Sequence, residues 1–229
     1  MERFATLEPL REIIDLGGPV VALLVLISVL TSAVAIWKVW QFKANGVGRH
    51  RALQASIALW DDHRPAEARR ELERSTSYLG PVIAMAYSAE PGIGVAARLE
   101  AEAETRFLRL EHGFRFLDTV AQIAPLLGLF GTVLGMIDAF RALQDAGSQV
   151  DPSILAGGIW VALLTTAVGL AVAMPTSAVL SWLEARMEAE RVIAGRAIAT
   201  ILNPLGSAAE ERAGRSALAA PYAAMGHAT

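Results

Sequence analysis

Three threonines sit where a hydroxyl is least expected. "PLLGLFGTVLGMIDAF", from Pro125 to Phe140, carries Thr132 in its middle, and "GGIWVALLTTAVGLAVAMP", from Gly157 to Pro175, carries Thr165 and Thr166. A threonine hydroxyl donates one hydrogen bond and accepts others, but it neither releases nor takes a proton near neutral pH. Such groups can solvate a carrier, hold water or tie helices together. A charge buried at membrane depth is expensive and usually functional. Yet no Asp, Glu, Lys, Arg or His lies between residues 119 and 137 or between 154 and 183. If a path for protons ran past these hydroxyls, its carrier would have to come from elsewhere.

Other chemistry is excluded residue by residue. His50, His63, His112 and His227 form no pair with metal-ligand spacing, and each reads as a solvated side chain. With no cysteine there is no disulfide, thiolate metal site or thiol nucleophile. Gly92 and Gly94 make a broken glycine pattern with no strand before them, so a phosphate-cradling loop is not expected. The runs "DDHRPAEARRELER" and "EAEAETR" mix both signs and read as solvated helix faces. A formal net charge of −3 argues against a nucleic-acid partner. The expectation is a protein that is not an enzyme and uses no metal or cofactor.

The elements that hold the threonines are membrane spans. The chain has 229 residues, 54% hydrophobic and 19% charged, too apolar for an ordinary soluble domain and too charged to lie wholly in lipid. About 20 apolar residues cross the hydrocarbon core, and three segments meet that: 19–41, with Trp37 and Trp40 at one interface, 119–140, and 154–181. The first is not a cleavable signal, because acidic residues precede it and a basic flank and a small-residue cleavage site are missing. Lys38, Lys43, Arg49 and Arg51 follow the first span, Arg106, Arg109 and Arg115 precede the second, and Arg186, Arg191 and Arg196 follow the third. The link 141–153 carries mostly acid. Positive charge marks the cytoplasmic side. Residues 1–18 and the link are therefore expected outside, and 42–118, 182–205 and the tail 206–229 in the cytoplasm.

The region 42–118 reads as helical, with Leu53, Ile57 and Trp60 at helical spacing and Pro65 suited to a first turn. "EPGIG" breaks it. After the break, a long amphipathic helix is expected to run directly into the second span. The third span is expected to continue inward until Asn203–Pro204 stops it, and the tail composition predicts disorder.

Two stripes run along the spans. Asp118, Gln122, Pro125, Leu129 and Thr132 are three or four residues apart and share a face. So do Gly158, Ala162, Thr166, Gly169, Ala173 and Ser177. Small residues and hydroxyls in these positions suit close helix packing; they also suit a polar lining for a proton or ion path. Residues expected to line such a path are Thr132, Thr166, Thr165, Pro125 and Gln122.

The two apolar stretches, with three spans in this order and a large insertion between the first two, resemble the paired signature of the MotA/TolQ/ExbB proton channel family. Three spans resemble ExbB and TolQ more than the four-span MotA. The resemblance implies an all-α membrane protein with long cytoplasmic helical extensions, assembled as a homo-oligomeric, pentameric ring in the bacterial inner membrane, which makes the outside of residues 1–18 and the link the periplasm. It implies an ExbD- or TolR-like single-span partner carrying an acidic residue, and work delivered to a TonB- or TolA-like protein. Carried over, Thr132 and Thr166 match the motif threonines of the second and third spans and face the central pore. One departure stands out: many ExbB and TolQ relatives carry glutamate where this chain has Val161. The resemblance therefore leaves the aspartate of the partner's span as the proton carrier.

Overall fold

The computed structural model describes residues 8–90, 92–145 and 152–205, with side chains from Gly18 onward except Ile154. The tail 206–229 and residues 146–151 of the link lie outside the described residues. The described residues form seven helices: α1 Glu8–Ala44, α2 Arg51–Asp61, α3 Pro65–Glu73, α4 Gly80–Ser88, α5 Val95–Glu111, α6 Phe114–Asp145 and α7 Pro152–Leu202. No strand occurs among the described residues. Three stretches, Gly18–Ala44, Phe114–Asp145 and Leu155–Leu202, are long and apolar enough to cross a membrane. The chain divides into two compact units, one of residues 1–39 and 112–184, the other of 40–111 and 185–229.

The first unit holds the apolar helices. α1 has a non-helical residue at Gly18, just before Pro19, as expected where proline can begin but not continue a helix. Leu24, Val120, Ala124, Val172 and Ala173 form its buried core. Lipid tails are as apolar as leucine, so helices here associate by close packing rather than by the hydrophobic effect. Lys38 is fully buried, its Nζ 4.7 Å from the Trp37 ring centre and 5.9 Å from that of Phe114.

The contact between α6 and α7 is backbone against backbone. A Cβ on Gly169 would lie 2.6 Å from the Ala124 carbonyl oxygen, and one on Gly131 would lie 2.7 Å from Thr165 Oγ1. The buried residues of α7 in this unit include Ala162, Thr165, Gly169, Ala173 and Thr176, while Thr166 is only half-buried and Ser177 is exposed. The expected stripe holds only in part. Ala162, Gly169 and Ala173 are buried, Thr165 sets its side chain against Gly131, and Thr166 meets the seam through its backbone, its Cα 3.0 Å from where a Cβ on Gly128 would lie, while Ser177 is exposed. Gly169→Ala should therefore cost about 1–3 kcal/mol, since the added methyl meets rigid backbone. Gly157→Ala, with open space at its Cβ, should be neutral or slightly stabilising. Thermal unfolding of the two variants in mild detergent checks this; equal midpoints would contradict the tight seam.

The second unit packs α2 to α5 with the last third of α7. Ser56 Oγ donates to the Ala68 carbonyl at 2.6 Å and lies 2.7 Å from Tyr87 Oη. Trp60 stacks on Tyr87 at 4.0 Å and donates through Nε1 to the Ile201 carbonyl. Arg191 of α7 pairs with Glu104 and Glu111 of α5, at 3.0 and 2.7 Å, and its guanidinium covers the Phe107 ring. One expectation fails here. α5 does not run into the second span: His112 and Gly113 interrupt it, with Gly113 at φ +101°. Only glycine takes that conformation at little cost.

Candidate functional site

α6 presents its buried side, Leu117, Val120, Ala124, Gly128, Gly131 and Ala139, to its own chain. The other side carries the polar stripe. Asp118, Gln122 and Leu129 are exposed, and Pro125 and Thr132 are half-buried. Gln122 Nε2 donates to Asp118 Oδ1 at 2.7 Å. Pro125 lies inside the helix and lacks an N–H, so the Ala121 carbonyl has no helical donor four residues on. Thr132 Oγ1 donates to the Leu129 carbonyl at 2.6 Å, which turns its hydroxyl back along its own helix.

The two threonines of α7 differ in kind. Thr165 is 2% exposed. Its single hydroxyl proton is shared between the Ala162 carbonyl of its own helix, at 2.7 Å, and the Gly128 carbonyl of α6, at 3.1 Å. Its side chain therefore belongs to the seam. Thr166 is next to it, and its buried Oγ1 has no hydrogen-bond partner. A buried hydroxyl left unpaired costs about 1–3 kcal/mol. Of the motif threonines, Thr166 is the one whose hydroxyl is not already engaged. Val161, one turn earlier, adds no polar group.

A second polar cluster escaped the sequence reading. Glu190 is 0% exposed, yet its carboxylate is ringed by donors. His50 Nε2 lies 2.8 Å from it, Tyr78 Oη donates at 2.9 Å and the Gly48 N–H at 3.0 Å. Arg186 Nε is 3.8 Å away. Burial, then the adjacent Glu190 charge and hydrogen bond, push the Tyr78 phenol far above its usual range, so it remains a donor. His50, expected to be solvated, is 5% exposed. The signal was present in the sequence: Met187, Glu190, Ala194, Ala197 and Ile201 keep helical spacing on one buried face, and Glu190 is the one acid on it. No group of three or more His, Cys, Asp or Glu able to hold a metal occurs among the described residues.

Three helices long and apolar enough to cross a membrane, with hydroxyls and an amide among their polar side chains, define the class of a multi-pass membrane protein. The model of the MotA/TolQ/ExbB proton channel family matches residues 90–194. The chain is 32% identical over 181 residues to an ExbB homolog of Methanothermobacter thermautotrophicus, covering 76% of this chain and 62% of that protein. It is 46% identical over 66 residues to the biopolymer transport protein exbB1 of Vibrio cholerae, 29% of each chain. With the Tol-Pal system protein TolQ of Haemophilus influenzae it shares 44% identity over 80 residues, 35% of each. The chain thus spans less than two thirds of the length of these relatives. It belongs to the MotA/TolQ/ExbB proton channel family and is most like ExbB and TolQ.

Proposed function

We propose that this chain is an ExbB-like stator subunit of a motor driven by the proton-motive force. In this reading copies of the chain form a ring in the inner membrane, pentameric as the family resemblance implies, around single-span ExbD-like partners. The amino terminus and the link between the second and third spans face the periplasm; the second helical unit and the carboxyl terminus face the cytoplasm. The partner's acidic residue carries the proton, and Thr166 and Thr132, with Gln122 and Pro125 along the same face of α6, give it a polar surface to pass. Thr165 holds α6 and α7 together behind them. Work is delivered to a TonB-like protein for outer-membrane transport. A TolQ-like role in envelope integrity, through TolR- and TolA-like partners, has support from the TolQ relatives.

The observation that carries this reading is the free Thr166 hydroxyl in helices that hold no ionisable side chain at that depth. A hydroxyl alone cannot conduct protons, because nothing on it titrates. Proteoliposomes containing this chain alone should therefore be proton-tight. Adding the single-span partner should open a flux, and the partner with its span aspartate changed to asparagine should not. Flux from the chain alone would make it a self-sufficient channel; no flux with the partner would make it a scaffold. Either result overturns the reading.

A further inference from the structure

The polar face of α6 has one titratable end, Asp118. Going up the helix from it, Ala121, Gln122 and Thr132 lie within about 100° of one another, and Asp118 is about 40° round the axis and about 21 Å along it from Thr132. The groups along this face change in kind as they rise: a carboxylate, an amide that donates to it at 2.7 Å, the Ala121 carbonyl without a helical donor below Pro125, then the Thr132 hydroxyl. Among the side chains of this face above Asp118, the polar ones can hold water or a hydrated proton but cannot take the proton covalently, and Pro125 and Leu129 offer no polar group. The opposite side of α6 is closed by its packing, while Asp118 and Gln122 are exposed. The nearest ionisable residue on the same helix is Arg115, one turn before, itself exposed; Thr119 turns its hydroxyl back to the Arg115 carbonyl at 2.7 Å.

We propose that Asp118 is the residue at which protons pass between this face of α6 and the solvent. Resting on the reading above, the step is a plain proton transfer. A proton held by water along the stripe moves to a carboxylate oxygen of Asp118, forming one O–H bond as another breaks, and then leaves to a solvent base. No electron moves. The Gln122 amide orients the carboxylate toward the stripe and remains able to follow it through the transfer, because its donor binds either the carboxylate or the carbonyl oxygen of the acid.

The test uses the complex of this chain with its single-span partner in proteoliposomes. Asp118→Asn keeps the size of the side chain and an oxygen for Gln122 to bind, but has nothing to titrate. Flux should fall on the order of 100-fold, the range removed with a positioned acid–base group. Oligomer recovery should be unchanged. Asp118→Glu should retain most of the flux. Small weak acids such as formate, added as mobile proton carriers, should restore flux to Asp118→Asn severalfold while leaving the native complex little changed; a merely structural aspartate would not respond to them. Native flux in Asp118→Asn, or loss of flux that formate does not restore, overturns the assignment. If Thr166→Val abolishes flux while Asp118→Asn leaves it intact, this assignment fails alone. A native complex without flux removes the function and the assignment together.

Discussion

Glu190→Ala should destabilise the second helical unit by about 3–5 kcal/mol, the cost of removing one partner from a buried ionic cluster. The carboxylate is fully buried, accepts from Tyr78 and the Gly48 N–H, and lies 2.8 Å from His50 Nε2. Truncation leaves the Tyr78 hydroxyl without its acceptor and His50 without its buried partner. The Gly48 N–H, fixed in the backbone between α1 and α2, keeps only the His50 Nε2 at 3.2 Å. Glu190→Gln is the informative partner variant. It keeps one oxygen acceptor and the packing volume, but points an NH2 at one donor, so its cost should be nearer 1–3 kcal/mol, about that of one unsatisfied buried group. Amide hydrogen exchange across α2 to α4, with thermal unfolding in mild detergent, reads both. Native protection in Glu190→Ala would show that the cluster holds nothing together.

The same cluster shows where reading along a chain stops. The three spans were visible because apolar runs of about 20 residues have few uses other than crossing lipid, and the helices do contain them. The stop at Asn203–Pro204 and the start at Pro65 were equally local, set by a ring that fixes φ and removes an N–H. His50 and Glu190 are 140 positions apart in sequence, and no local pattern announces that they meet. A polar histidine beside Arg49 and Arg51 is by default a solvated one. The break at Gly113 was missed for another reason. The charged and apolar positions on either side keep one amphipathic period, and a single glycine inside such a run is a weak signal until its φ is known.

The choice between Thr165 and Thr166 was illegible for a geometric reason. Both are small, polar and adjacent, and a stripe drawn through either one meets the glycines and alanines of α7 at spacings of three and four. Only the opposing surface decides. Gly128 and Gly131 leave room for one β-branched side chain, and Thr165 fills it: a Cβ on Gly131 would come within 2.8 Å of the Thr165 Cβ. Thr166 meets Gly128 through its backbone instead, and its buried hydroxyl is left unpaired.

That division makes Thr166→Val the sharpest substitution in the molecule. Valine has nearly the shape of threonine, so packing is kept, and the hydroxyl removed had no partner to lose. Assembly and stability should hold or improve slightly, because an unpaired buried hydroxyl is itself a cost. Flux through the complex with its partner should nevertheless fall below a tenth of native, a barrier change of more than about 1.4 kcal/mol. Thr166→Ser keeps the hydroxyl, loses a methyl and should retain much of the flux. Thr132 should follow the same order, with Val the more harmful change, because both are read as facing one path. Thr165 should behave differently. Its hydroxyl bridges to Gly128, and such interhelical bonds average only about 0.6 kcal/mol in membranes, so Thr165→Val should cost little in flux or assembly. Partner-dependent proton flux and oligomer recovery, measured side by side for these variants, separate the two roles. A Thr166→Val complex that still conducts would make Thr166 a packing residue and leave the proton path without its central group.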